Sequence, residues 1–213
     1  MSGPSFQIDQ VDVVVEDRRI LDDVMVDIGA SVVTAVVGPS GSGKSTLLRL
    51  LNRLIVPSSG EVRLDGESLG SLDVLALRRR VGMVFQRPTV FEGTVADNLG
   101  VGAPAIAADQ MAELLTAVNL PVEWTDRDTA DLSGGEAQRL CLARTLATRP
   151  DAVLMDEVTS ALDVDNRLLL EALARDLVDE RGLTVVWVTH DLDQVDRLAD
   201  RVVHMDDGRV VER

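Results

Sequence analysis

Apolar and polar positions alternate from Phe6 to Val15 (Phe6, Ile8, Val11, then Val13-Val14-Val15), and apolar spacing resumes from Ile20 to Ile28 after the charged turn Glu16-Asp17-Arg18-Arg19. This predicts the two strands of an antiparallel hairpin. Ser31 to Val37 is a β-branched apolar run that stops at Gly38, where a glycine-rich loop leads into leucines 47, 48, 50, 51 and 54 at helical spacing. The segment reads as strand, loop, helix. After Pro57-Ser58-Ser59-Gly60, the pattern predicts a short strand from Glu61 to Leu64, an Asp65-Gly66 turn, a helix near Leu72 to Arg80 and a strand from Val81 to Phe85.

From Arg87 to about Thr148 the strand signals vanish. Helical stretches near Val95, from Ala107 to Val118 and from Glu136 to Ala147 are joined by loops containing Pro and Gly, which predicts a helical sub-domain over residues 87–150 inserted in the sheet. Alternation then returns: Ala152 to Met155 (strand), Asp165 to Arg181 (helix, with Gly182 as its C-cap), Thr184 to Val188 (strand), Asp191 to Ala199 (helix) and Arg201 to Met205 (strand). Continuous apolar runs of this kind suit parallel strands buried on both faces. The expected fold is α/β: a mixed sheet, an N-terminal antiparallel β hairpin and an inserted helical sub-domain, all within one domain over residues 1–213. No internal repeat or low-complexity segment interrupts it.

Composition narrows the function. With 46% hydrophobic and 27% charged residues the chain is ordinary for a folded protein. Its formal charge of −15 argues against a basic face for duplex phosphates, so no nucleic-acid partner is expected, nor binding to an anionic lipid surface. Cys141 is the only cysteine, which rules out an internal disulfide. The uncharged stretch Gly29 to Gly43 is broken by Gly, Pro and Ser, and no run reaches the roughly 18 apolar residues of a membrane span. The opening Met-Ser-Gly-Pro-Ser-Phe-Gln lacks the parts of a secretion signal, so a cytoplasmic location is expected. Arg outnumbers Lys 20 to 1, and Asp outnumbers Glu 25 to 11. Genomic base composition and adaptation to high salt both fit that bias.

The sole lysine, Lys44, falls in Gly38-Pro39-Ser40-Gly41-Ser42-Gly43-Lys44-Ser45-Thr46, which fits G-x-x-x-x-G-K-[ST] between a predicted strand and a predicted helix. In such a loop, backbone N–H groups and the helix N-terminus face an anion, the lysine reaches the β and γ phosphates, and Ser45 offers its hydroxyl to Mg²⁺. Val153-Leu154-Met155-Asp156-Glu157 is an apolar strand ending in two carboxylates, a Walker B pattern. Asp156 is expected in the Mg²⁺ shell, and Glu157 is expected to orient or deprotonate the attacking water. Leu132-Ser133-Gly134-Gly135-Glu136-Ala137-Gln138-Arg139 offers a second anion site, a helix capped by Ser133 with free glycine amides.

That last segment resembles the signature of the ATP-binding cassette (ABC) superfamily, which implies a P-loop NTPase core. In the family this site meets the γ-phosphate on a partner's Walker loop, so the resemblance implies ATP held between two copies of the nucleotide-binding domain, contacted here by Ser133, Gly134, Gly135 and Glu136. Further markers follow in order. Gln86 resembles the Q-loop glutamine, which contacts Mg²⁺ and links to the transmembrane permease subunits. Ser160-Ala161-Leu162-Asp163 resembles the D-loop, and His190 the switch histidine that hydrogen-bonds the γ-phosphate. The resemblance runs from Phe6 to Arg213 and implies a Mg-dependent ATPase, peripheral on the inner face of the cell membrane, that powers a transporter.

Two positions depart from the family. Val15 stands where an aromatic residue commonly stacks on adenine, and Val158 replaces the usual proline before the D-loop. Cys141, Trp187 and His204 read as structural, and the series Asp191, Asp193, Asp196, Asp200 as a solvated helix face. A soluble, non-transport ABC ATPase is the alternative reading; those usually carry a long coiled-coil insertion or two cassettes. A P-loop kinase lacks the second phosphate site. The Gln86 neighbourhood is similar to phosphate-importer ATPases, and the stretches 156–163 and 187–191 to ATPases of putative metal-exporting permeases. The expected cargo is therefore an inorganic ion, an oxyanion ahead of a metal.

Overall fold

The structure, a computed structural model, describes residues 3–211; positions 1–2 and 212–213 of the expected 1–213 domain lie outside the described residues. In chain order the elements are β1 (Phe6–Val15), β2 (Arg18–Ile28), β3 (Val33–Val37), α1 (Lys44–Leu51), β4 (Ser59–Leu64), β5 (Glu67–Ser68), α2 (Val74–Arg80) and β6 (Val81–Val84). There follow α3 (Val95–Gly102), α4 (Ala108–Ala117), two short 3-10 turns (Val122–Asp126 and Thr129–Asp131) and α5 (Gly134–Ala147). The chain finishes with β7 (Ala152–Asp156), α6 (Val164–Asp179), β8 (Thr184–Val188), α7 (Leu192–Leu198), β9 (Arg201–Asp206) and β10 (Arg209–Val211).

The hairpin closes through Glu16 and Asp17, both at positive φ (48° and 62°), the left-handed pair that a two-residue turn between twisted strands needs. β4 pairs with the other edge of β1 and β5 extends it, giving an antiparallel sheet in the order β2-β1-β4-β5. The second sheet runs β10-β9-β3-β8-β7-β6 and is parallel except for the edge strand β10. The fold is thus the expected mixed α/β architecture. β5 and β10, at two and three residues, are too short to show a period and were not expected.

Because the central strands are buried on both faces, each face feeds its own core. Val36, Leu154, Val186 and Val188 join the α1 leucines 47, 48, 50 and 51 and the inward side of the hairpin sheet. Val33, Val153, Met155, Val185 and Trp187 point the other way, against residues of α3, α4, α5 and α6. α1 is thereby clamped between two sheets. Between β6 and β7 the described backbone holds helices and turns, with a single isolated bridge, Thr94 to Asp128. No helix among the described residues is long and apolar enough to cross a membrane.

Several boundaries shift for local reasons. The expected C-cap at Gly182 is corrected: α6 ends with Glu180 as its cap, while Gly182, at φ +67°, still donates its N–H to Val178 two residues farther on. α5 begins at Gly134 because Ser133 caps it. Asp191, read as the first residue of a helix, is the N-cap of α7 and accepts from the Gln194 N–H.

Candidate functional site

Four parallel strands lie side by side in the order β3, β8, β7, β6, with Val36 level with Val188, Val188 with Asp156, and Met155 with Val84. Their carboxyl ends therefore open on one crevice, the place where ligands bind in open α/β sheets. β3 leads into the loop 38–43, β8 into Thr189 and His190, β7 ends at Asp156 and Glu157, and β6 leads to Phe85 and Gln86.

Gly38 stands at φ +153°, and a Cβ there would lie 2.0 Å from the Met205 carbonyl oxygen. Gly43 caps α1 at φ +96°, where a Cβ would meet Leu21 at 2.6 Å. The loop is thus pressed between β9 and β2, with room for backbone only. The β9–β10 turn holds it too: Gly208 N–H donates to Ser42 O (3.2 Å), and Asp22 N–H to Gly208 O (2.9 Å). Pro39, Ser40 and Gly41 are exposed, Thr46 is half-buried, and Ser42 is buried.

Lys44 is the first residue of α1 and is buried, its ammonium donating to the carbonyls of Gly38 and Pro39 at 2.8 Å each. Burial lowers its pKa from the ordinary value, while Glu157 and Asp156 act in the opposite direction. One residue on, Ser45 Oγ donates to Asp156 Oδ1 at 2.7 Å. This contact joins the start of α1, just past the loop 38–43, to the end of β7. Arg49, one turn beyond Ser45 on α1, approaches Asp156 Oδ2 at 3.8 Å. The sequence reading missed Arg49, although its spacing from Ser45 places both on one helix face.

Among the described residues no group of three His, Cys, Asp or Glu side chains could hold a metal ion unaided. Ser45 and Asp156 nonetheless present adjacent hard oxygens, the donor set that suits Mg²⁺ bound through one carboxylate together with substrate phosphates. Glu157 adopts φ +47°, a left-handed conformation uncommon for a residue of its kind and concentrated at functional sites. Its Oε2 accepts from Gln86 Nε2 (3.2 Å) and lies 3.8 Å from His190 Nδ1, while Gln86 also donates to Ser160 Oγ (3.2 Å). The structure brings Glu157, Gln86, His190 and Ser160 together. It does not bring Gln86 into a hydrogen bond with Asp156 or Ser45.

The other candidates lie elsewhere. Ser133 caps α5, its Oγ accepting from Glu136 N–H (3.4 Å) while its own N–H donates to Glu136 Oε2 (2.8 Å). Burial raises the Glu136 carboxyl, but these Ser133 bonds and the nearby Arg127 outweigh it and hold the group below its ordinary value. Gly134 faces open space; a Cβ on Gly135 would meet Asn166 at 2.9 Å, so this helix start packs on α6 just past residues 160–163. Among the described residues no hydrogen bond links Ser133, Gly134, Gly135 or Glu136 to the loop 38–46 of the same chain. Val15, half exposed, ends β1 opposite Arg18 at the hairpin turn. Val158 is buried in the second core, and so is Cys141.

The ABC transporter family pattern matches residues 21–160. ABC transporter I family member 17 of Arabidopsis thaliana is 44% identical over 216 residues, an overlap taking in 99% of this chain and 82% of that one. Methionine import ATP-binding protein MetN of Caulobacter vibrioides is 45% identical over 202 residues, which is 90% of this chain and 60% of the longer relative. Among solved structures, cbiO1 from Clostridium perfringens, part of the ABC transporter complex cbiONQ, matches with a TM-score of 0.89 at 28% identity, over 97% of this chain and 86% of that one.

Proposed function

The chain belongs to the ABC transporter family as an ATP-binding, ATP-hydrolysing subunit, and from that premise we propose how its residues divide the work. The loop 38–46 cradles the phosphates with backbone N–H groups, and Lys44 turns from the Gly38 and Pro39 carbonyls to the phosphate oxygens. Ser45, Asp156 and, through its side-chain oxygen, Gln86 would hold Mg²⁺, which when bound supplies positive charge to the phosphates. Glu157 accepts the proton of the attacking water, and His190 hydrogen-bonds the γ-phosphate. Val15 borders the adenine. The observation that carries this reading is the 2.7 Å contact of Ser45 with Asp156, because it fixes the loop, the metal oxygens and the Glu157 carboxylate at one strand end.

The placement of Ser133, Gly134, Gly135 and Glu136 away from their own Walker loop supports a complete site formed by two copies, each lending its α5 N-terminus to ATP on the other. The same reading assigns residues 87–150 as the inserted helical sub-domain of one nucleotide-binding domain. It also assigns transmembrane permease subunits as further partners and the inner membrane face as the location. For cargo we keep an inorganic ion, an oxyanion ahead of a metal, on the likeness of the Gln86 and Glu157 neighbourhoods described above. Methionine is the competing class, since a relative named for its import is 45% identical. Uptake of labelled phosphate and methionine, with metal sensitivity, in a strain lacking the gene tests all three; unchanged behaviour in every arm removes them.

Glu157→Gln tests the catalytic reading. The variant should bind Mg-ATP as the parent does, dimerise, and hydrolyse about 10²–10⁴-fold more slowly, the usual size of a lost acid–base contribution. Near-normal turnover would remove Glu157 from this role.

A further inference from the structure

Behind the crevice lies a buried polar cluster that no motif describes. Gln194, on α7 and fully buried, accepts from the Trp187 indole N–H of β8 at 2.9 Å and from Thr159 Oγ1 at 3.4 Å. Its amide nitrogen donates to Thr159 Oγ1 (3.1 Å) and to Glu171 Oε1 on α6 (2.9 Å). Glu171 is only 5% exposed. A carboxylate so buried is tolerable when paired, and Arg197 of α7 pairs with it twice, Nε to Oε2 and Nη2 to Oε1, both at 2.8 Å. A second pair, Arg167 of α6 to Asp191 at the start of α7 (2.9 Å), clamps the same two helices at their other end.

The position of this cluster in the chain gives it a role. Thr159 follows Glu157 by two residues, and Asp191, the cap of the helix carrying Gln194, follows His190 by one. The amide of Gln194 is therefore a buried side-chain tie, beside the backbone bond from Glu157 N–H to Val188 O (3.2 Å), between the turn bearing the carboxylate and the helix start bearing the histidine, whose side chains stand 3.8 Å apart. Both ends of the amide are used, and Glu171 with Arg197 fixes its orientation: the nitrogen faces the carboxylate, so the oxygen faces Trp187. We propose that Gln194 and Glu171 are positioning residues for ATP hydrolysis, a bridge from α6 and α7 through Thr159 that sets the spacing of Glu157 and His190. This rests on the roles proposed above for those two residues.

A bridge that only docks α7 on α6 and one that also positions the site differ in what Thr159→Val does. That variant is nearly isosteric, leaves both arginine pairs intact and cuts only the arm to the Glu157 turn. The full chain should keep its melting temperature and its KM for ATP within about threefold, since Lys44 and the loop 38–46 are untouched, while kcat falls about fivefold or more; misplacement of about 1 Å can cost 10²-fold. Gln194→Met should lower kcat at least about tenfold with a similar KM. The double variant Gln194→Glu with Glu171→Gln, which restores one amide facing one carboxylate, should regain more activity than Gln194→Glu alone. Unchanged kcat in Thr159→Val while Glu157→Gln is inactive overturns the inference and leaves the site assignment standing. Normal turnover in Glu157→Gln overturns both. Should Gln194→Met fail to fold, Thr159→Val decides alone.

Discussion

Replacing Lys44 by Met keeps the buried four-atom stem and removes only the ammonium. In the structure that group makes two 2.8 Å hydrogen bonds to the carbonyls of Gly38 and Pro39. Charged hydrogen bonds are worth about 1.5–3 kcal/mol each, but the Gly38 and Pro39 carbonyls stand at a half-buried and an exposed residue, where water replaces the donor. The burial that lowers the lysine pKa also stops opposing the fold. The net loss without nucleotide should be no more than about 1–2 kcal/mol, or roughly 2–8 °C in melting temperature for a domain of this size. With ATP the balance should differ, because in the proposed site the ammonium moves to phosphate oxygens that no other lysine can reach. Losing two charged bonds there, about 3–6 kcal/mol, less the 1–2 kcal/mol already lost without nucleotide, leaves roughly 3 kcal/mol and predicts an ATP Kd weaker by about 100-fold. Thermal unfolding without ligand and ATP titration of the same preparation separate the two quantities. An ATP Kd within threefold of the parent refutes the phosphate role, and a far larger fall in melting temperature would mark the lysine as chiefly structural.

Gly38→Ala should cost about 3 kcal/mol or more, combining a left-handed backbone with a Cβ 2.0 Å from the Met205 carbonyl, whereas Gly41→Ala, which faces open space, should cost about 1–2; equal unfolding midpoints would refute the packing argument. GTP should compete within about tenfold of ATP, because an aliphatic Val15 lacks base stacking worth roughly 1–3 kcal/mol, and a much stronger ATP preference in competition titrations would show another residue reading the base. Asp97 and Glu136 hold carboxyl pKa values below their ordinary 3.8 and 4.5, Asp97 through the Thr94 cap bonds and Glu136 because the Ser133 bonds outweigh burial. Depressed folded values mean the unfolded chain takes up protons first, so this stability is present above those ordinary values and is lost as pH falls through the lower folded ones. Asp97→Asn should flatten that acid limb of a denaturation profile, and an unchanged limb would refute the assignment.

The glycine-rich loop 38–43, the paired carboxylates at the end of β7 and the capped helix at Ser133 were legible in the sequence because chemistry restricts what can stand there: only glycine meets the positive φ and close contacts at Gly38 and Gly43, and only a few side chains cap a helix or end an apolar strand in two acids. Element types were legible for the same kind of reason, since a run such as Thr184–Val188, buried at every position, leaves no alternative face. Partner choice was not. Nothing in the alternation of β4 says that it joins β1 instead of the sheet that carries the loop 38–43. The acidic series at and around α7 shows the limit most clearly: its period reads as a solvated face, yet Asp191 caps the helix and pairs with Arg167, and Asp200, beyond its end, accepts from Val33 N–H and Arg175. Trp187 reads as core and is fully buried, but its indole N–H is spent on Gln194. A residue that touches the nucleotide has few permitted substitutes and therefore leaves a pattern along the chain. A residue that orients it needs only one polar atom of the right sense at the right place, and in this chain that place is set by strand order and by how α6 and α7 dock. Glu171 and Gln194 become recognisable only when the elements are assembled, because 23 positions of sequence separate two groups that meet at 2.9 Å.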